Sequence, residues 1–136
     1  RCYVATDATE VDHRALVETL AELNALPGTP GYFTDTFCEQ ARYFTPENGA
    51  RIDATRDALE RDHRDSPDFA ILLTSLIEAA DRVDSTTGVQ MAYLKSWAPR
   101  ALKDLELRVP DVLPRAAHGK GEAHQLDAFG VQAKNT

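Results

Sequence analysis

The sequence predicts a helix-rich chain with short strands near both ends, part of a larger α/β sheet. Two observations point to helices. Thr45-Pro46-Glu47 and Ser66-Pro67-Asp68 are start signals, a capping hydroxyl followed by proline in the first turn, and apolar residues recur at helical spacing along the chain. The third observation points to a sheet. Short β-prone runs stand before the first helix and after the last, and two or three short strands make a poor sheet alone, so the remaining strands are expected outside this chain.

Arg1-Cys2-Tyr3-Val4-Ala5-Thr6-Asp7 reads as a strand with Asp7 at its carboxyl end. Leu16, Leu20 and Leu23 then form one helical stripe, with Asp12, Glu18 and Glu22 largely off it. Leu26-Pro27-Gly28 stops that helix, and Thr29-Pro30-Gly31 extends the loop. Residues 32–44 are rich in aromatics (Tyr32, Phe33, Phe37, Tyr43, Phe44) and read as a loop with one helical turn, packed on the body. The helix begun at Thr45 carries Ile52 and Leu59 on one side, with Arg51, Asp53, Arg56, Asp57 and Glu60 elsewhere. The helix after Ser66 is the most strongly patterned. Its Phe69, Leu72, Leu73, Leu76, Ile77 and Ala80 follow the amphipathic template and are expected at the centre of the core.

Beyond Val83 the character changes. Asp84-Ser85-Thr86-Thr87-Gly88 is a polar, flexible junction, and Gln90 to Arg100 is amphipathic and mixed. Leu105-Glu106-Leu107-Arg108-Val109 alternates and reads as a strand stopped by Pro110. Pro114 to Gly121 is a loop, and Glu122 to Leu126 is a weakly patterned strand ending at Asp127.

The 136 residues suffice for one buried core, and 43% hydrophobic with 27% charged residues is an ordinary soluble composition. No apolar run approaches the roughly 20 residues that cross a bilayer, and the N-terminus lacks a basic-then-apolar signal, so a cytoplasmic protein away from membranes is expected. Cys2 and Cys38 fit no metal or redox spacing, and two reduced thiols are the plainer reading than a disulfide. Net charge of −7 argues against a protein that simply coats nucleic acid. Residues 1–84 carry 8 Lys/Arg against 17 Asp/Glu, whereas residues 93–120 carry 6 against 3, so only the second part invites a polyanion.

Asp7 and Asp127 each close a strand reading. Ligands of open α/β sheets bind beyond the carboxyl ends of the strands. There Asp7 can accept from both ribose hydroxyls of a nucleoside cofactor, and Asp127 from an exocyclic amine. On spacing alone, a turn former or helix cap is the plainer reading of each. The stretch Asp81 to Arg100 interleaves cations (Arg82, Lys95, Arg100) with rings (Tyr93, Trp97) and small hydrogen-bonding groups (Ser85, Thr86, Thr87, Gln90). Phosphate positioning and base reading use these residue types. Tyr93 and Trp97, four apart, also fit one buried helical face. The histidines match no zinc or catalytic spacing, so no metal site is expected.

Taken in order, Thr45-Pro46-Glu47-Asn48-Gly49-Ala50-Arg51-Ile52-Asp53, Glu78-Ala79-Ala80-Asp81-Arg82-Val83, Thr86-Thr87-Gly88-Val89-Gln90-Met91-Ala92-Tyr93-Leu94-Lys95 and Trp97-Ala98-Pro99-Arg100-Ala101 resemble the Dam-like class of N6-adenine-specific DNA methyltransferases, particularly bacterial restriction-modification members. The resemblance extends into Leu105–Pro110 and Leu126-Asp127-Ala128. It implies a Rossmann-like parent fold, with residues 1–25 as second strand and following helix of the cofactor domain. Residues 26–104 become a helical insertion for target recognition, and 105–136 the return to the cofactor sheet. It further implies S-adenosyl-L-methionine as cofactor, with Asp7 on its ribose and Asp127 near its adenine. Double-stranded DNA is the implied substrate, with Thr86, Thr87, Gln90, Tyr93, Lys95 and Arg100 near it, and a restriction endonuclease is a candidate partner. The target adenine is flipped out of the duplex in this class. The glycine-rich cofactor loop and the Asp-Pro-Pro-Tyr motif of the family are expected before Tyr3 and after Asp127, outside these residues. No catalytic residue is therefore expected here, and the 136 residues alone are expected to be inactive. The competing reading is a non-enzymatic helical module that binds DNA or a protein.

Overall fold

The computed structural model describes residues 6–89, 92, 94–115 and 117–130. Three helices build the body: α1 (His13–Asn24), α2 (Pro46–Asp62) and α3 (Phe69–Asp81). Asp12 caps α1 by accepting from Ala15 N–H at 3.1 Å, and Thr45 caps α2 by accepting from Asn48 N–H at 3.3 Å with Pro46 in the first turn. The second proline signal acts two residues later than its sequence reads. Ser66 Oγ accepts from Asp68 N–H at 3.1 Å across a turn, and α3 begins only at Phe69. Single 3-10 turns occupy Ala8–Glu10, Pro99–Leu102 and Ala128–Gly130.

One apolar cluster joins all three helices to the chain that follows them. Leu16, Leu20 and Leu23 of α1 meet Ile52, Ala58 and Leu59 of α2, then Ile71, Leu72, Leu76 and Ala79 of α3, then Leu105 and Leu107. Leu59 and Ile71 lose all contact with water, which stabilises the fold by roughly 1.5–3 kcal/mol each. The α3 stripe expected from the sequence is only partly the buried one. Leu72 and Leu76 are buried, but so are Ala70, Ile71, Ser75 and Ala79. Ile77 stays 62% exposed, and Phe69, Leu73 and Ala80 are half-buried. The reason is that α3 is covered on two sides, by α2 and by the chain around Arg108, which turns its buried arc away from Ile77.

The strand expected at Leu105–Val109 is corrected. No strand forms among the described residues. The alternation itself holds, with Leu105 and Leu107 buried and Glu106 and Arg108 exposed. The backbone, however, is paired by side chains from helices instead of a neighbouring strand. Asn48 Oδ1 accepts from Leu105 N–H at 3.0 Å, while its Nδ2 donates to the carbonyls of Ala101 (3.2 Å) and Lys103 (2.8 Å). Asn24 takes both backbone groups of Leu107, at 2.8 and 2.9 Å. Ser75 Oγ donates to Arg108 O at 2.6 Å, and Arg82 Nη2 to Glu106 O at 2.8 Å. Buried backbone groups need partners of some kind, and amide side chains supply them here as well as a ladder would. The strand read at Glu122–Leu126 is likewise irregular and exposed chain. Of the first expected strand, residues 1–5 lie outside the described residues, and Thr6 and Asp7 are not in a strand.

The aromatic segment before α2 folds more tightly than a loop. A helical turn at Tyr32 and Phe33 passes into a π-helix at Thr34–Glu39, where Gln40 N–H reaches the Asp35 carbonyl at 3.1 Å. Asp53 of α2 holds its start. The Asp53 carboxylate accepts from Gly31 N–H (2.8 Å), Phe33 N–H (3.0 Å), Thr34 N–H (2.9 Å) and Thr34 Oγ1 (2.7 Å). Burial pushes this carboxyl up, and the Thr34, Phe33 and Gly31 donors together outweigh it, holding its pKa below the ordinary value. On the same helix Gly49 has no room for a side chain, because a Cβ there would overlap Cys38 Sγ. Cys38 is buried and free, and burial, with the negative charges of Asp53, Glu39 and Glu47, pushes its pKa to about 11. It is an inert packing thiol. Among the described residues no buried side-chain nitrogen or oxygen lacks a partner, and no helix is long and apolar enough to cross a membrane.

Candidate nucleic-acid interface

The chain between α3 and the 3-10 turn at Pro99 leaves the body as a loop, and its two ends meet at the base. Ser85 is 2% exposed, and its N–H donates to Tyr43 O at 2.7 Å while its Oγ accepts from Ala98 N–H at 3.0 Å. Arg100 Nε donates to Asp84 twice, to the carbonyl at 2.9 Å and to Oδ1 at 2.6 Å. Arg100 Nη2 continues to Thr86 O at 3.3 Å, and Thr86 Oγ1 donates to the other oxygen of Asp84 at 2.8 Å. A third segment joins the base from the side. Arg42 adopts φ 52°, left-handed for a residue with a Cβ, and its guanidinium lies 5.0 Å from the centre of the Trp97 ring.

Away from the base, residues 87–89 and 94–96 are exposed to solvent. Gly88 turns the chain at φ 72°, and among the described residues Thr87 Oγ1 lies 3.3 Å from Val89 N–H and 3.4 Å from Ala92 O. Val89 is 65% and Leu94 37% exposed, and Lys95 and Ser96 are exposed beside them. Lys95 makes no ion pair among the described residues, so its charge is available to a polyanion. The expected DNA-facing residues therefore divide. Thr87 and Lys95 are on the open part of the loop, Thr86 and Arg100 at its base, and Gln90 and Tyr93 lie outside the described residues. Trp97 is half-buried against Arg42 and fits neither an exposed reader nor a fully buried face.

The two aspartates are not joined by any described contact. Asp7 is buried and caps the 3-10 turn at Ala8, its Oδ1 accepting from Thr9 N–H at 2.9 Å and Thr9 Oγ1 at 2.8 Å. These Thr9 bonds, with the Arg115 and Lys120 charges, outweigh burial and hold its pKa below the ordinary carboxylate value. Its Oδ2 faces Arg115 Nε at 3.1 Å. Both oxygens of Asp7 are therefore engaged, by Thr9 and by Arg115, and a ribose diol would have to displace at least one of them. Asp127 is exposed and accepts from Phe129 N–H at 2.9 Å within its own turn. Among the described residues no group of three or more His, Cys, Asp or Glu is placed to hold a metal.

Several residues take organising roles in this region that the sequence did not assign to them. Asp84, Ser85 and Arg42 set the base of the loop, and Asn24, Asn48 and Asp53 anchor the chain beneath it. The one sequence signal for the loop base was the crowding of Asp, Ser and Thr at 84–87.

Comparison with known proteins places the chain. Residues 3–135 match the D12 class N6 adenine-specific DNA methyltransferase family. Type II methyltransferase M.NlaIII from Neisseria lactamica is 34% identical over 119 residues, covering 82% of this chain and 35% of that protein. Type II methyltransferase M.FokI from Planomicrobium okeanokoites is 44% identical over 79 residues, 55% of this chain and 12% of that protein. Type II methyltransferase M.CviAII of Paramecium bursaria Chlorella virus 1 is 37% identical over 93 residues, 65% and 28% of the two chains. The chain thus spans about a third or less of the length of these relatives. No solved structure matches it. The chain belongs to the D12 class of N6 adenine-specific DNA methyltransferases.

Proposed function

We propose that the intact protein is a restriction-modification DNA methyltransferase that transfers a methyl group from S-adenosyl-L-methionine to the N6 amine of adenine, and that the loop from Thr86 to Trp97 is part of its DNA surface. The observation that carries this reading is the family match over residues 3–135. The exposed Lys95 supports the second half, because a solvent-facing cation that makes no ion pair among the described residues is what a phosphate needs. Thr86 and Thr87 supply hydroxyls to the same surface, and Gln90 and Tyr93 are assigned to it on the sequence alone.

Residues 1–25 belong to the cofactor domain, 26–104 to target recognition and 105–136 to the return toward the cofactor sheet. Asp7 accepts the ribose hydroxyls once Arg115 has moved, and Asp127 lies toward the cofactor adenine. The protein works on double-stranded DNA in the cytoplasm, with a restriction endonuclease as its partner activity. What this chain's residues contribute is orientation, since methyl transfer rewards a flipped base held in line with its donor. The non-enzymatic helical module is not favoured, because the family match includes Asp7 and Asp127 as well as the loop.

The test is methyl transfer from labelled S-adenosyl-L-methionine into duplex DNA by the intact protein, with the modified base identified by mass. N6-methyladenine in the product is the expected result, and Asp7→Ala should weaken cofactor binding strongly. Unmodified DNA with a well-folded protein contradicts the reading.

A further inference from the structure

We propose that Asp84, Ser85 and Arg100 are positioning residues, a latch that closes the base of the 86–97 loop so that it meets DNA in one conformation, without touching DNA themselves. The inference rests on the proposed DNA surface and deepens it, since it reassigns Arg100 from the duplex to the loop base.

Three features of the geometry carry it. First, Arg100 is already committed. Its Nε and Nη2 reach two oxygens of Asp84 and the Thr86 carbonyl, between 2.6 and 3.3 Å. Second, the pair is internally neutral, its carboxylate half sheltered and its guanidinium half-exposed. Both oxygens of Asp84 are taken, Oδ1 by Arg100 and Oδ2 by Thr86, and its side chain is only 19% exposed. A phosphate approaching the Nε edge of Arg100 would have to displace Asp84 Oδ1 and face the carboxylate it left. Third, among the described residues the hydrogen bonds of Thr87, Val89 and Ala92 run to one another, at 3.2–3.4 Å, and not to the body, which leaves the base as the tie between the two. Closing a flexible loop has an entropic cost that must be met before binding or at it, and ends pinned in advance remove it from the binding step. Ser85 completes the latch by joining Ala98 to Tyr43 through one buried residue.

The experiment uses the intact protein as Asp84→Asn, Arg100→Gln and the double variant, with a random-sequence duplex library as substrate. Methylated adenines are mapped, KM for DNA is measured across a salt series, and amide exchange is followed in the free protein. A latch predicts that each single variant raises KM for DNA by about tenfold and that the double variant is no worse, the signature of groups acting as one unit. The salt slope stays unchanged, cofactor affinity is retained, sequence preference broadens, and amides between Thr86 and Trp97 exchange faster. Arg100→Lys keeps the charge and loses the fork, so it should fall between wild type and Arg100→Gln in KM, and it replaces the latter if that variant folds poorly. The proposal is overturned if Arg100→Gln lowers the salt slope by about one while Asp84→Asn leaves it intact, which is the behaviour of a phosphate contact. Unaltered exchange in both variants also overturns it. Lys95→Gln separates the two levels of the argument. If that change leaves DNA affinity and its salt slope untouched, the DNA surface itself is misassigned, while the exchange data still decide whether the latch exists.

Discussion

In the helical body polar groups that leave water find partners from distant parts of the chain, whereas the described residues of the loop from Thr86 to Trp97 are tied to that body at its base. Asn24 and Asn48 hold Leu107 and Leu105 across separations of 83 and 57 residues, and Asp53 holds the turn at Thr34 across 19. Beyond its base the loop has a positive-φ glycine, long internal contacts and apolar side chains in water. The difference teaches how this chain divides its work. Non-local polar pairing fixes a surface, and a segment whose described residues pair locally is freer to conform to something else.

Breaking the body should produce the largest effects. Leu59→Ala or Ile71→Ala leaves a cavity in the shared core and is expected to cost about 2–5 kcal/mol in urea denaturation. Asn48→Ala is next. It strands Leu105 N–H and the carbonyls of Ala101 and Lys103, and a loss of about 1–3 kcal/mol is expected by the same method, with loosening concentrated at residues 101–105.

Asp53 sharpens the comparison through pH. Its folded pKa is lowered, so its charge stabilises the fold fully above the unfolded value of about 4, and this is lost as pH falls through the lowered folded value. Asp53→Asn should therefore flatten the acid limb of a stability-against-pH curve, while the Lys95→Gln curve should overlay the wild type. In the loop the expected change in stability is smallest of all. Lys95→Gln should stay within about 0.5 kcal/mol of wild type and yet lower the salt slope of DNA binding by about one. A Lys95 variant that unfolds the protein would erase the distinction between the two regions.

Much of the body was legible beforehand. Leu16, Leu20 and Leu23 announced α1, and Thr45-Pro46 announced α2, because caps and apolar spacing are local properties of the sequence. The buried polar anchors were not. Asp53 lies among Arg51, Arg56, Asp57 and Glu60 on a charged stretch and reads as solvated until the turn at Gly31–Thr34 folds over it. At Leu105–Val109 the alternation correctly gave which residues face inward, but alternation is silent about what satisfies the backbone, and helix-borne amides do so here. In the loop the residue types for DNA contact were visible, whereas the inward direction of Arg100 depends on Asp84, sixteen residues earlier.

Hydrogen exchange of the intact protein, with and without a methylatable DNA duplex, tests the central claim most directly. Slowed exchange confined to amides between Thr86 and Arg100, with the α1–α3 core unchanged, is the result this account predicts. Protection that spares this loop and appears elsewhere on the chain would contradict it.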